Sequence, residues 1–303
     1  MHVVFDSTFC VRNRSGIGRY GRELLAALRE TSATWQVAEY ISRGVLKKPD
    51  LPRKLADAVG WLFGVECALP VWLWQRRADL LHAPAYIAPL VSLPCPLVVT
   101  LHDTMLEDGL QEFPAAWKWF HRLSVSSAVR RAAAVIVPSQ HTAADVMRIY
   151  QIPAERIRLV PYGVNPAFRP RPAEQVAPVL ARHGLRQPYI LFVGAQVARK
   201  NIVRLIEAFA ILRREHERAG LTLVLVGPAG NASQTIRQAI ARCGVSDAVR
   251  LDGLSGLSES ELITIYNGAQ VFAFPSLYEG GGLPPLEALA CGTPVVTSNH
   301  GAV

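Results

Sequence analysis

The stretch from Val271 to Pro294 limits this chain to few architectures. Val271-Phe272-Ala273-Phe274-Pro275 is an apolar run of strand length, as expected of a buried strand. Tyr278-Glu279-Gly280-Gly281-Gly282 follows, and Leu283-Pro284-Pro285-Leu286-Glu287 then opens a helix. Proline suits the first turn of that helix, Gly292 its end, and Pro294 lies just beyond. A strand that feeds a helix through glycines is one unit of a parallel α/β sheet. The loop offers unpaired N–H groups at the positive end of a helix dipole, which suits an anion. Glu279 and Glu287 bracket the loop. Carboxylates repel phosphate, so their expected work is accepting hydrogen bonds from sugar hydroxyls beside it. A ligand that is anionic in the middle and hydroxylated at both ends, a nucleoside diphosphate-sugar, meets these terms. The alternative is an ordinary glycine-rich loop with two solvated glutamates.

The rest of the second half repeats the same alternation. Strands are expected at Tyr189–Val193, Thr222–Val226, Val249–Leu251 and Pro294–Thr297. A helix from about Asn201 carries Leu205, Ala208 and Leu212 at helical spacing, another runs to Cys243, and Ser258-Glu259-Ser260-Glu261 is a capping box for a third. Such a succession predicts parallel strands with right-handed crossovers, a doubly wound domain. Arg199-Lys200 follows the first of these strands and Gly194, which aims two cations at the crevice of the glycine loop. Cations at a helix start oppose the helix dipole, which favours phosphate neutralisation over a bare basic turn.

The first half alternates too, with strands expected at His2–Asp6, from Trp35 to Glu39, Asp79–His82, Leu97–Leu101 and Ala134–Val137. Ser139 is placed to cap a helix to Tyr150. Gly16-x-Gly18-x-x-Gly21 matches the dinucleotide fingerprint, and Glu39 lies near the place of a ribose-binding acid. An NAD-dependent oxidoreductase is the rival reading, although the loop from Asp6 to Gly16 is long for that motif. His102 follows a buried strand, at the carboxyl end where open α/β sheets bind ligands. A lone histidine is more often structural. Leu46 to Arg77 combines tryptophans (Trp61, Trp72, Trp74) with Lys47, Lys48, Arg53, Lys54, Arg76 and Arg77. That composition fits a helix packed on a sheet or one lying on a membrane.

Composition narrows the partners. A chain of 303 residues, half of them hydrophobic, is comfortable for two cores. The net charge of +8 lies mostly in residues 1–184, with 22 Lys+Arg against 15 Asp+Glu. This favours an anionic lipid surface or lipid-phosphate acceptor over nucleic acid, against a plain solvated basic surface. Five scattered cysteines with no C-x-x-C signal neither a disulfide framework nor a zinc site, and fit a reducing, cytoplasmic setting. No secretory pattern is apparent, and Tyr86–Leu101 is proline-broken and too short to span a bilayer. There is no D-x-D and no G-x-x-x-x-G-K, so neither a metal-clamped diphosphate nor a P-loop is expected.

The stretch from Glu279 to Val296 closely resembles the E-x7-E signature of the retaining GT-B glycosyltransferases of family 4, which include many bacterial mannosyltransferases. Glu279 and Glu287 take the glutamate positions, and Gly280, Gly282, Leu283, Pro284, Ala288, Ala290, Gly292, Pro294 and Val295 also fit. Gly281 departs, standing where the family usually has a large residue, and Ala195 stands where many members place an arginine. Ile152–Asn165 resembles the segment leading into the interdomain linker, and Phe168–Pro172 has linker composition.

The resemblance implies two doubly wound, Rossmann-like domains, 1–170 on the acceptor side and 171–303 on the nucleotide-sugar side, facing across a cleft that holds the donor. It implies a hexosyltransferase acting with retention and without a metal or other cofactor. The donor is a nucleoside diphosphate-sugar, with GDP-mannose weighed against UDP-sugars. The acceptor is a glycan or lipid-linked glycan of cell-surface polysaccharide, met at the inner face of the membrane. Glu287 is expected to hold the ribose hydroxyls, and Glu279 with Gly280, Gly281, Gly282 and Leu283 the sugar and diphosphate. Arg199 and Lys200 are expected to stabilise the departing phosphate, His102 to contact the sugar, and Gly16 and Gly18 to approach donor phosphate and acceptor. Related chains continue past Val303 with more sheet and a terminal helix. The second domain is therefore expected to be truncated and of marginal stability or activity, which keeps a non-catalytic nucleotide-sugar binder open.

Overall fold

The computed structural model describes all residues except 12–15, 32–33, 43–61, 105–114, 216–219, 252–253, 255 and 303. The chain divides into two units, Met1–Tyr162 and Gly163–Val303.

The first unit is built on a parallel sheet in the order β2-β1-β3-β4-β5-β6, with β1 His2–Asp6, β2 Gln36–Tyr40, β3 Leu80–Ala83, β4 Leu97–Thr100, β5 Ala134–Val137 and β6 Ile157–Leu159. Strand β1 pairs with β2 on one side and β3 on the other, so the winding reverses between β1 and β3. Helix Gly16–Thr31 follows β1 and helix Gln140–Tyr150 follows β5. The latter is capped as expected, Ser139 accepting from the Thr142 amide. Ahead of β3, a π-helical stretch Leu62–Ala68 runs into the helix Leu69–Gln75. Val65, Leu69 and Leu73 recur every four residues and are fully buried, which makes this a packed helix. Its other side leaves Phe63, Val71 and Trp74 largely exposed. The reading of a helix packed on the sheet holds for this buried face. Lys47, Lys48, Arg53, Lys54 and Trp61 lie outside the described residues.

The second unit carries a parallel sheet in the order β11-β10-β7-β8-β9, with β7 Tyr189–Val193, β8 Thr222–Val226, β9 Val249–Arg250, β10 Val271–Phe274 and β11 Val295–Thr297. The chain winds outward from β7 through β8 to β9, then returns to place β10 on the other side of β7. Its switch point thus lies between β7 and β10. Gly227 makes the loops after β7 and β8 fit together, since a Cβ there would sit 2.1 Å from the Gly194 carbonyl oxygen. The capping box at Ser258 and Glu261 forms in full. On helix Ile202–Glu215 the expected face shifts. Ile202, Leu205, Ile206, Phe209 and Ala210 are buried and Ala208 is exposed, because Ile206 and Phe209 give the sheet more apolar surface than Ala208 and Leu212.

The division at Tyr162 falls eight residues before the expected boundary at 170. The residues between belong physically to the second unit. Phe168 is buried in its core, and the Arg169 carbonyl accepts from Asn267 Nδ2 at 3.1 Å.

Candidate active site

In the second unit, the loops that leave β7 and β10 stand side by side at the switch point and carry the expected charges. Arg199 and Lys200 lie in a 3-10 turn, Ala198–Lys200, held by Asn201 in the left-handed conformation. The β10 loop delivers Glu279, whose Oε1 accepts from Arg199 Nη1 at 2.7 Å, Lys200 Nζ at 2.6 Å and Ser276 Oγ at 2.5 Å. Arg199 Nη1 also donates to the Tyr278 carbonyl at 2.9 Å. Lys200 is buried and its Nζ sits 4.4 Å from the centre of the Phe274 ring, which itself stacks between Phe192 and Phe272. The carboxylate is therefore bonded to both cations. The remaining edge of Arg199 differs, because Nε is buried and has no partner among the described residues. Gln196 Oε1, in the same loop, is a buried acceptor likewise without one. Such orphaned polar atoms are costly unless a ligand completes them.

Gly282 caps the helix Leu283–Ala290 with φ 59°, a conformation open to glycine, and turns the loop so that the Leu283 amide starts the helix. One turn in, Glu287 is buried and accepts from Tyr266 Oη at 2.9 Å. Gly280 and Gly282 are buried and Gly281 is half-buried. The loop is pinned from beyond β11: the Ala302 amide donates to the Glu279 carbonyl, and Ser298 Oγ to the Ser276 carbonyl.

In the first unit, Gly16 is the exposed first residue of its helix and Gly18 is buried. Gly21 is a packing glycine: a Cβ there would lie 2.3 Å from Cys10 Sγ. Glu39, the ribose acid of the rival reading, is paired with Arg29 at 3.2 Å. His102 is buried after β4, with Nδ1 2.7 Å from Tyr162 Oη and Nε2 2.7 Å from the Pro84 carbonyl. Burial pushes its pKa down to about 4. His82 lies close by, its Nε2 2.9 Å from Thr100 Oγ1, and burial with the neighbouring His102 lowers it to about 4 as well. Burial raises Asp6, at the end of β1, to about 6, although Thr8 donates to it. The sequence does not single out Ser276, Tyr266, His82 or Tyr162 as site residues; His82 is there only the end of a strand and Tyr162 part of the segment before the linker.

Two doubly wound parallel units, with a cationic loop and a carboxylate loop at the second switch point, are the architecture of the GT-B glycosyltransferases. Family models agree: "Glycosyltransferase Family 4" matches residues 14–168 and "Glycosyl transferases group 1" matches 181–303. The chain belongs to the family 4, group 1 glycosyltransferases. It is 31% identical over 321 residues to O-antigen chain mannosyltransferase B of Escherichia coli, covering 99% of this chain and 82% of that protein. Against the MMP alpha-(1->4)-mannosyltransferase of Mycolicibacterium hassiacum it is 32% identical over 224 residues, 71% of this chain and 51% of that one. Among solved structures, Anabaena Alr3699/HepE in complex with UDP and glucose aligns over all of this chain and 82% of its own length, with a TM-score of 0.73 at 19% identity. WaaG, a glycosyltransferase involved in lipopolysaccharide biosynthesis, aligns over the same shares with a TM-score of 0.71 at 18% identity.

Proposed function

We propose that this chain transfers a hexose, with retention at the anomeric carbon, from a nucleoside diphosphate-sugar to a glycan or lipid-linked acceptor of cell-surface polysaccharide. The mannosyltransferase relatives favour mannose as the sugar. The observation that carries the reading is Arg199. Its Nη1 is clamped by Tyr278 and Glu279, while its buried Nε has no partner among the described residues, which supports a planar fork for a phosphate beside the Lys200 ammonium. These two cations supply the charge that a metal provides elsewhere when a diphosphate leaves. Glu279 turns to the sugar hydroxyls as the diphosphate takes over its cations, Gly280–Leu283 offer backbone amides, and Glu287 holds the ribose. Gln196 supplies an acceptor for a ligand hydroxyl or N–H. In the first unit, His102 lies against the sugar and Gly16 and Gly18 line its approach.

Among the described residues no helix is long and apolar enough to cross a membrane. The exposed Phe63, Val71 and Trp74, the last two lining an open groove of about 610 Å³ with Pro70, Leu93 and Pro94, and followed in the chain by Arg76 and Arg77, favour peripheral contact with an anionic bilayer at its inner face.

The test pairs Arg199→Lys with a donor panel of GDP-mannose, UDP-hexoses and NAD, read by thermal shift and by released nucleotide. The variant keeps the charge and loses the fork, so donor kcat/KM should fall roughly 10- to 100-fold, the worth of one or two charged hydrogen bonds. Binding without turnover would favour a nucleotide-sugar binder. Stabilisation by NAD alone would favour the oxidoreductase.

A further inference from the structure

His102 has no ring nitrogen left over for a ligand. Nε2 faces the Pro84 carbonyl at 2.7 Å, and a carbonyl can only accept, so the proton sits on Nε2. Nδ1 then carries a lone pair, and Tyr162 Oη at 2.7 Å donates into it. Tyr20 closes the ring's face, edge-on at 4.8 Å between centroids, and also packs on Tyr162 at 5.5 Å. The titratable groups facing this ring are Tyr20 from the helix after β1, His82 from β3 and Tyr162 itself. Thr100 Oγ1 stands between His82 Nε2 and Tyr20 Oη, at 2.9 and 3.3 Å.

We propose that Tyr162 is a positioning residue of the transferase: its hydroxyl, opposite the Pro84 carbonyl, locks His102 in the Nε2–H form, so that His102 meets the sugar as a fixed neutral surface with no proton to give or take. The proposal rests on the reading that His102 lies against the sugar. It assigns the ring to shape, not acid–base chemistry, and leaves the acceptor's proton to another group. Tyr162 is also the last residue of the first unit, so the histidine is tied to the chain that leads into the second.

The arrangement is tested with histidine labelled with 15N, the His102 signals being identified by their loss in His102→Asn. In the wild type, Nε2 should be protonated and Nδ1 bare from pH 7 down to pH 5. In Tyr162→Phe, an isosteric change, the proton should stay on Nε2 opposite the Pro84 carbonyl, while Nδ1, released from its donor, should take up a proton at a higher pH than in the wild type. With donor and acceptor supplied, Tyr162→Phe should lower kcat/KM about tenfold at pH 8, where both rings are neutral. The gap should widen as pH falls towards the variant's raised value, giving an acid limb that sets in at higher pH than in the wild type. A purely structural tyrosine would move stability and not that limb. A wild-type ring protonated on Nδ1 or titrating near 6.5, or a Tyr162→Phe ring indistinguishable from the wild type, would overturn the assignment. Because the nitrogen shifts are read without substrate, failure of every donor to turn over would overturn the functional reading and leave this measurement to decide the tautomer.

Discussion

Replacing Glu279 with glutamine keeps the shape of the side chain and removes its charge. One oxygen, Oε1, accepts from Arg199, Lys200 and Ser276 within 2.5–2.7 Å, and the side chains of Glu279, Arg199 and Lys200 are only 11, 15 and 9% exposed. Solvent therefore screens the cluster weakly. Removing one partner of such a buried ion pair costs about 3–5 kcal/mol, since two cations are left without a counter-charge. For a unit of about 140 residues, an unfolding entropy near 2.1 cal/mol/K per residue converts this to a fall in Tm of roughly 10–17 °C. The same change should make GDP or UDP bind at least as tightly as in the wild type, because the diphosphate no longer competes with an internal carboxylate. Turnover of the intact donor should nevertheless fall by about 100-fold or more, a neutral amide replacing the charged acceptor of the sugar hydroxyls. Calorimetric melting with and without nucleotide, together with released-nucleotide kinetics, measures all three. A Glu279→Gln protein that melts within 2 °C of the wild type, or binds nucleoside diphosphate more weakly, would refute this account of the cluster.

Acid stability should report the buried titrating groups of the first unit. His82 and His102 are held near 4, below the ordinary value of about 6.5, so the unfolded chain takes up their protons first and their stabilisation fades as pH falls from 6.5 towards 4. Asp6, raised to about 6, works the other way: its protonated folded form is favoured at low pH, and that contribution fades as pH rises through 6. Two histidines outweigh one aspartate, and urea unfolding should show a net loss of roughly 2–3 kcal/mol between pH 7 and pH 5. Asp6→Asn should steepen that loss. At the exposed apolar face, Val71→Asp with Trp74→Asp should reduce co-sedimentation with vesicles containing anionic lipid and leave the melt within a few degrees. Unchanged sedimentation would remove the membrane assignment.

What the sequence disclosed and what it withheld divide along a physical line. The sheets were legible because Tyr189–Val193, residues 223–226 and Val271–Phe274 are apolar runs, as strands covered on both faces must be. Arg199, Lys200 and Glu279 stood out because each follows such a strand or its glycines, and the switch point brings their loops together. Their mutual pairing was not legible, since about eighty residues separate the partners and nothing local records the contact. Tyr266 with Glu287, and Tyr162 with His102, are through-space pairs of the same kind. The fingerprint at Gly16, Gly18 and Gly21 misled in part because glycine answers several needs. At Gly21 the need is room for Cys10.

On the proposed function, Glu279 also sets what this crevice ignores. Inorganic phosphate arriving there must evict a carboxylate already seated on both cations, and it brings no hydroxyl to occupy the displaced acid. A sugar donor offers such hydroxyls in the same event. The loop thus screens its visitors by requiring an exchange of partners, and simple anions, however abundant, have nothing to trade.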